Sequence, residues 1–384
     1  MAIYRRSDRP ILSKQQKLDL FRDCTVVHPH LKKAYEEFRD AVSNPGGASL
    51  IFLFGPTGVG KTTLLRQITK IMLEEYCSRM VKDPDYLPVA TAEARAPESG
   101  SFDWRGYYQS VLTSLTDLPV PSKLISKRSQ LKKSRRFQKS IGSNRSHLST
   151  LREQVIVNIR HRRMIVFLTD EAQRFSKMAS SSRQQAQMDA MQSMASMTDT
   201  LHGLFGTYEL LEFRNLSGQL SRRSIDIHFS RYQADCSKDL VEFQRVLKSF
   251  GEKMALDRPP ELEIHWEHFY ERSIGCVGIL KDWLTQAYRK ALDENASSLT
   301  EQHWQPYAPS VSKCLQMAAE AIEGEKALQF ESGELTLLRQ KLGLSGGSSS
   351  VLPRENPSLG LKNTQKRKYR PGVRQPNRDV IGEM

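Results

Sequence analysis

The chain alternates between short apolar runs and longer segments whose apolar residues recur with helical spacing. The short runs are candidate buried strands, and they lie at 49–54, 86–94, 164–171, 201–208 and 224–229. Segments of helical periodicity separate them, as in repeated units of strand, helix and parallel strand. The pattern therefore predicts an α/β fold in which helices cover both faces of a central parallel sheet.

The predicted helices also suggest how the chain is divided. Helical spacing covers 30–42, 63–76, 103–115, 147–159, 239–254 and most of 262–328, whereas the Ser- and Gln-rich stretch 178–185 is predicted to be a loop. A Gly/Ser linker followed by several prolines is typical of a disordered tail. The predicted divisions are an arm at 1–27, an α/β domain at 28–235 with a basic insert at 118–150, a small helical lid at 236–342 and a tail at 343–384.

A glycine-rich loop follows the first apolar run and has the full P-loop pattern, which is Gly, four residues, then Gly-Lys-Thr. Glycines let backbone N–H groups turn toward phosphate oxygens, and the next helix adds its dipole. Lys61 is placed to reach β- and γ-phosphates, and the Thr62 hydroxyl to ligate Mg²⁺. The predicted nucleotide contacts are Gly55, Pro56, Thr57, Gly58, Val59, Gly60, Lys61, Thr62 and Thr63.

The third apolar run ends in Asp170-Glu171, which is the pattern of a Walker B motif. Asp170 would complete the Mg²⁺ site with Thr62, and Glu171 is placed to polarise an attacking water. The Asp-Glu ending favours ATPases of the ASCE class over GTPases, and the chain has no Asn-Lys-x-Asp sequence for reading guanine. ATP and Mg²⁺ are therefore the predicted ligands.

Polar residues near the fourth and fifth runs are candidates for further catalytic roles. Thr207 ends the fourth run, which such folds place between the P-loop and Walker B strands, so it is either a γ-phosphate sensor or a plain strand-end threonine. Arg222 and Arg223 precede the fifth run, where oligomeric ATPases carry an arginine finger that reaches a neighbour's γ-phosphate. Arg214 is a third candidate for the finger, and an ordinary surface pair is the alternative.

Two groups of ring residues allow two interpretations each. His28 and Pro29 precede the first strand, where many P-loop ATPases cover the adenine, but they also fit an ordinary helix lead-in. Trp104, Tyr107 and Tyr108 lie near the start of one predicted helix, and Asp103 is placed to cap that helix. They could stack on bases, although aromatic residues of a helix more often pack in the core.

The chain carries a formal net charge of +14, which indicates a polyanionic partner. The charge is concentrated in the basic insert, because no Asp or Glu occurs between Asp117 and Glu153. Lys and Arg release counterions from duplex DNA, so we expect backbone contact with little sequence preference, and a solvated loop is the alternative. The predicted DNA contacts are Lys123, Lys127, Arg128, Lys132, Lys133, Arg135, Arg136, Lys139 and Arg145.

Cysteine usage and hydropathy indicate an intracellular, non-membrane protein. The five cysteines are scattered and form no Cys-x-x-Cys pair, which favours reduced thiols over zinc sites or disulfides. No apolar run approaches the ~20 residues of a membrane span, and residues 1–10 lack the apolar core of a signal peptide. We therefore expect a cytoplasmic location.

Several phrases in order resemble one family, the TniB/TnsC-like AAA+ ATPases that regulate DNA transposition in Tn-seven-like and CRISPR-associated transposons. The resemblance spans roughly residues 28–290 and rests on 55–62, 102–105, 170–173, 206–208 and 275–281. It implies a three-layer AAA+ domain of the ASCE class with a C-terminal helical lid. It also implies a prokaryotic, nucleoid-associated protein that assembles as a ring or filament on duplex DNA and links a target-selection protein to the transposase.

One residue of the lid departs from the pattern. Many AAA+ lids carry a Gly-x-x-Arg phrase whose arginine touches the γ-phosphate, but Gly278-Ile279-Leu280-Lys281 puts a lysine in that slot. Lys281 is therefore the predicted nucleotide contact of the lid, which implies slow hydrolysis or a substituted sensor.

Two other classes of function are compatible with the two Walker motifs. A DNA motor would separate strands, but no helicase motif beyond the Walker pair is visible. A replication initiator or clamp-loader-like ATPase would bind a defined origin or a clamp, but a winged-helix domain is hard to find after residue 330. A transposition regulator would do neither, and would bind a transposase and a targeting protein.

Overall fold

The computed structural model describes residues 12–96, 102–116, 147–175, 181–215, 222–328 and 332–344. The chain divides into two compact units, Met1–Gln329 and Phe330–Met384. The first unit contains the sheet and the Walker motifs, and the second contributes the helix Ser332–Lys341. The predicted DNA contacts from Lys123 to Arg145, and the tail after residue 344, lie outside the described residues.

One sheet of parallel strands forms the centre of the first unit, as predicted. The strands are β1 Leu50–Phe54, β2 Val89–Glu93, β3 Val166–Asp170, β4 Leu201–Gly206 and β5 Ser224–His228. Their order across the sheet is β2-β3-β4-β1-β5, so β4 lies between the P-loop and Walker B strands as expected. Every residue of β1 is buried, because helices cover both faces of a parallel sheet.

Helices flank the sheet and continue beyond it toward the C-terminus. The α-helices of the described residues are α1 Lys14–Asp23, α2 Pro29–Ser43, α3 Lys61–Glu75, α4 Cys77–Lys82, α5 Trp104–Thr116, α6 Leu148–Arg162, α7 Ser181–Thr198, α8 Leu210–Asn215, α9 Ser237–Lys253, α10 Trp266–Ser273, α11 Val277–Asp293, α12 Glu301–Trp304, α13 Val311–Leu328 and α14 Ser332–Lys341. Short 3-10 helices occupy Ala172–Phe175, Leu262–His265 and Gln305–Tyr307.

The aromatic residues of α5 belong to the core beside the Walker B strand. Asp103 Oδ1 accepts a hydrogen bond from the Gly106 N–H at 3.0 Å, which caps the helix start as predicted. Phe102 lies with its ring 4.5 Å from that of Phe175, and Tyr107 donates to or accepts from Thr169 at 2.8 Å. Tyr107 is fully buried, so this cluster packs the domain and is no exposed platform for bases.

A second core joins helices of the predicted lid to α1, where the sequence predicted only a weakly patterned arm. Ser13 and Gln16 form a capping box that starts α1, and Phe21 packs edge-on against Tyr288 of α11 with 5.2 Å between ring centroids. Leu18 and Phe21 are buried in this core. The arm thus contains a helix that is part of the lid's packing.

Helix α13 lies within the predicted lid but packs against the core of the sheet. Its Ala321 is buried in that core. Gly324 packs directly against the Tyr208 ring, which leaves no room for a Cβ atom. Arg231, which follows β5, binds Glu325 through two hydrogen bonds of 2.9 and 3.0 Å. Close packing and a largely buried ion pair therefore tie α13 to the strand ends beside the Walker motifs.

The predicted bounds of helices α6 and α7 were wrong. Residues 181–185 begin helix α7 instead of a loop, because the buried residues Met188, Met191 and Met194 anchor this helix against the core. Residues 160–162 continue helix α6 beyond the predicted end. Arg162 there donates to the carbonyl oxygens of Leu115 and Pro84, so part of the basic run holds neighbouring loops.

Disulfides, membrane-spanning helices and metal-binding clusters are each absent from the described residues. All five cysteines are free thiols. No described helix is long and apolar enough to cross a membrane. The described residues contain no cluster of three or more His, Cys, Asp or Glu side chains that could hold a metal ion.

Candidate nucleotide-binding site

The P-loop connects β1 to the start of α3 and depends on glycine at its turns. Gly58 has a φ of 77° and Gly60 a φ of 116°, and side chains of L residues are strained in both conformations. Gly55 lies against the carbonyl of Phe229 with no room for a Cβ atom. The backbone N–H groups of this loop and of the first turn of α3 can therefore form a cradle for phosphate.

Lys61 lies inside this loop at the first position of α3. Its Nζ donates to the carbonyl oxygens of Gly55 at 2.9 Å and Pro56 at 2.8 Å. Only 9% of the residue is exposed, and burial lowers the pKa of its ammonium group to about 8. An anion beside the loop would favour the charged form and raise this pKa again.

Thr62 and Asp170 meet at the carboxyl end of β3. The Thr62 hydroxyl donates to Asp170 Oδ2 at 2.8 Å. Burial raises the pKa of Asp170, and the hydrogen bond from Thr62 opposes that rise. A hydroxyl and a carboxylate are hard oxygen donors, and Mg²⁺ in nucleotide sites takes one or two protein ligands besides phosphates and waters. The pair fits the predicted Mg²⁺ ligands.

Glu171 follows with its backbone in the left-handed region at φ 54°. Its N–H donates to Asp170 Oδ1 at 2.9 Å. Gln173 Nε2 donates to Glu171 Oε2 at 3.0 Å, and Arg174 Nη2 lies 3.4 Å from the same oxygen. Sequence reasoning assigned no catalytic role to Gln173 or Arg174. Their positions two and three residues after Glu171 were the available signal.

Thr207 lies just beyond the end of β4, next to the Walker B turn. Its N–H donates to Gln173 Oε1 at 3.3 Å. Its Oγ1 is buried and has no hydrogen-bond partner among the described residues. A buried hydroxyl without a partner is unusual in proteins and is compatible with the predicted contact to a phosphate.

The start of α11 packs on the P-loop and brings the lid to the site. The Ile279 N–H donates to the Gly58 carbonyl at 3.2 Å, and Gly278 lies too close to that carbonyl to carry a side chain. Lys281, one turn later, donates to the carbonyl oxygens of Arg22 and Cys24, each at 2.6 Å. The structure therefore places the Lys281 ammonium on the C-terminal end of α1.

His28 and Pro29 begin helix α2. His28 is 5% exposed, caps the helix by accepting from the Leu31 N–H, and contacts the Tyr232 hydroxyl at 3.1 Å. Burial lowers the pKa of the His28 imidazole to about 3. These contacts match the helix lead-in interpretation.

Of the three candidate finger arginines, Arg214 lies on α8, and the other two directly precede β5. Arg222 and Arg223 are exposed, and the Arg223 carbonyl accepts hydrogen bonds from the N–H groups of Ser49 and Leu50. The backbone of Arg223 is thus fixed beside β1, while its side chain lies at the surface.

Comparison with known proteins agrees with this arrangement. Residues 44–213 match the family model of the AAA domain. The ORC1 protein of Aeropyrum pernix, solved in complex with DNA, is similar with a TM-score of 0.52 and 13% identity over 77% of this chain and 70% of that chain. The chain therefore has the AAA+ P-loop ATPase fold, with a five-stranded parallel sheet and surrounding helices.

Two other solved structures are similar at lower scores. Cdc6p from Pyrobaculum aerophilum has a TM-score of 0.49 and 13% identity over 84% of this chain and 89% of that chain. A Walker-type ATPase of Pyrococcus abyssi has a TM-score of 0.46 and 16% identity over 84% of this chain and 80% of that chain. No curated protein sequence matches the chain.

Proposed function

We propose that the protein is an ATP-dependent regulator of DNA transposition that oligomerises on duplex DNA. In this proposal it links a target-selection protein to the transposase, and ATP hydrolysis drives its disassembly. The observation that carries the ATPase part is the meeting of Lys61, Thr62, Asp170 and Glu171 at one end of the sheet. These are the residue types that bind phosphates, hold Mg²⁺ and activate water.

The roles of the chain's own residues follow from their positions. Lys61 would exchange the carbonyls of its loop for β- and γ-phosphate oxygens, and Thr62 with Asp170 would hold the metal ion. Mg²⁺ held there would supply positive charge that offsets the negative charge of the phosphates. Glu171 would accept a proton from the attacking water, and the buried Thr207 hydroxyl would donate to a γ-phosphate oxygen.

The assignment to transposition is supported by the two most specific phrases of the resemblance, 102–105 and 275–281. The first packs against the Walker B turn through Phe102 and Phe175. The second packs on the P-loop through Gly278 and Ile279. Both phrases thus lie against the nucleotide site, where they could couple its occupancy to assembly.

We expect the basic insert to bind the DNA backbone and the tail to bind a partner protein. Replacing Lys132, Lys133, Arg135 and Arg136 by Ala should weaken duplex binding with little dependence on sequence. Each lost phosphate contact should reduce the salt slope by roughly 0.9. Deleting 343–384 should leave DNA affinity and hydrolysis intact and impair transposition or transposase pull-down. The measurement is DNA affinity against salt concentration, together with a transposition assay.

The control for charge removal is the double variant Lys32→Ala/Lys33→Ala, because these α2 lysine side chains are 66% and 71% exposed and each pairs with a glutamate of its own helix. It should keep the wild-type salt slope. If the tail deletion loses most DNA affinity while the four-site variant keeps it, the two roles are reversed. Binding confined to one defined DNA sequence would instead favour a replication initiator.

We further expect Arg222 and Arg223 to act on the site of a neighbouring subunit. An Arg222→Ala/Arg223→Ala variant and a Glu171→Gln variant should each hydrolyse ATP slowly when alone. Mixed at equal amounts, roughly a quarter of the interfaces would combine an intact base with an intact arginine pair, so activity should partly return. A mixture no more active than the average of its parts, with both variants folded and assembled, would exclude a shared site.

A further inference from the structure

The 3-10 turn Ala172–Phe175 directs two side chains at the same atom of the predicted catalytic base. Gln173 Nε2 donates to Glu171 Oε2 at 3.0 Å, and Arg174 Nη2 lies 3.4 Å from that oxygen. Both contacts engage Oε2, and no hydrogen bond or ion pair from a described residue reaches Oε1. The carboxylate is therefore held by one of its two oxygens.

The other end of the Gln173 side chain reaches the strand on one side of β3. Its Oε1 accepts the Thr207 N–H at 3.3 Å, just beyond the end of β4. A Cβ atom at Gly206 would lie 2.5 Å from this oxygen, so glycine at the end of β4 leaves the space for the amide. Gln173 is 6% exposed, which limits its alternative conformations.

Arg174 reaches the strand on the other side of β3. Its Nη1 donates to Glu93 Oε1 at 2.8 Å and to the Ala94 carbonyl at 2.7 Å, at the end of β2. The base is thus connected to the ends of both neighbouring strands. Both connections meet at Glu171, whose backbone is in the left-handed region. This conformation is strained for a residue other than glycine, so the surrounding contacts must stabilise it.

We propose that Gln173 and Arg174 are positioning residues that fix Glu171 Oε2 so that Oε1 receives the proton of the attacking water. The inference rests on the proposed ATPase function. In the step, the water oxygen bonds to the γ-phosphorus, its proton passes to Oε1, and the bond from the γ-phosphorus to the bridging oxygen breaks. ADP leaves with the electrons of that bond, and Oε1 later releases the proton to solvent.

The connection to Thr207 adds a consequence for nucleotide sensing. The backbone N–H of Thr207 donates to Gln173, while its buried side-chain hydroxyl has no hydrogen-bond partner in the described part of the chain. A shift of this strand end on contact with a phosphate would move the Gln173 amide, and with it the base. Gln173 therefore couples the predicted sensor to the predicted base.

The test compares Gln173→Ala, Gln173→Glu and Arg174→Ala in the full chain. A misplacement of the base by about 1 Å costs roughly a hundredfold in rate, so we expect kcat to fall about ten- to a hundredfold in each variant. Affinity for a non-hydrolysable ATP analogue should stay within about twofold, since none of these side chains is placed on the phosphates. Gln173→Glu keeps an acceptor for the Thr207 N–H, removes the donor to Glu171 and adds a like charge beside it, so it tests the contact with the base more severely than Gln173→Ala.

Gln192→Ala is the matched control, because Gln192 is also a buried glutamine and its Nε2 has no hydrogen-bond partner among the described residues. It should lower thermal stability without lowering kcat. The second arm repeats Gln173→Ala in a Glu171→Gln background, where a residue that acts only through the base should cost nothing further.

The results distinguish a failure of the positioning role from a failure of the proposed base assignment. An unchanged or increased kcat in the Gln173 and Arg174 variants, or the same fold loss in the Glu171→Gln background, would overturn the positioning role. If Glu171→Gln itself hydrolyses ATP at the wild-type rate, the proposed base assignment fails instead, and the positioning inference fails with it.

Discussion

Lys61→Ala is expected to abolish ATP binding at cellular concentrations and, with it, assembly on DNA. The ammonium is the one charge that the P-loop places against the phosphates, and each hydrogen bond to a charged group contributes roughly 1.5–3 kcal/mol. Loss of contacts to two phosphates should therefore lower affinity by at least roughly a hundredfold. The measurement is binding of a fluorescent ATP analogue, followed by DNA co-sedimentation.

The control is Lys70→Ala, an exposed lysine on the same helix α3. It should keep wild-type affinity, and thermal melting of both variants should show that the fold is intact. Because Lys61 is buried with a lowered pKa, its replacement is expected to leave the free protein folded. Wild-type nucleotide affinity of Lys61→Ala would remove the P-loop from the mechanism.

Glu171→Gln is expected to separate binding from hydrolysis. The amide keeps the size of the side chain but cannot accept the water proton, and loss of a general base typically costs 10²–10⁴-fold in rate. ATP affinity should be unchanged. Because disassembly is proposed to need hydrolysis, oligomers should remain on DNA much longer than those of the wild type when free ATP is diluted away.

The measurement pairs single-turnover hydrolysis with the lifetime of DNA-bound protein. Glu209→Gln serves as the control, since Glu209 is an exposed carboxylate two residues after Thr207. It should match the wild type in both assays. Slow hydrolysis with a wild-type lifetime on DNA would break the link between hydrolysis and disassembly while keeping Glu171 as the base.

The sequence predicts the sheet, and the position of the P-loop between a strand and a helix, because their signals are local. A P-loop needs a strand before it and a helix after it, and both could be recognised in the neighbouring residues. Strand ends were less accurate: β2 is Val89–Glu93 within the predicted 86–94. The length of β2 is set by its pairing with β3, from Val89 opposite Val166 to Glu93 opposite Asp170. The hydrophobic pattern of residues 86–94 alone does not contain this register.

The missed features depend on contacts between distant parts of the chain. Helix α1 carries only two buried residues, and its packing partner Tyr288 lies more than 250 residues later. The direction of Lys281 depends on that same helix, so spacing alone could not find its bond to Cys24. The roles of Gln173 and Arg174 likewise require the ends of β2 and β4 to lie on either side of β3.

The most direct test of ATP-driven assembly is electron microscopy of the protein with duplex DNA and a slowly hydrolysed ATP analogue. ADP in place of the analogue is the matched sample, and Lys61→Ala is the negative control. The account predicts ordered rings or helical filaments on DNA with the analogue, and none with ADP or with the variant. Dispersed particles under all conditions, or the same assemblies with ADP as with the analogue, would contradict it.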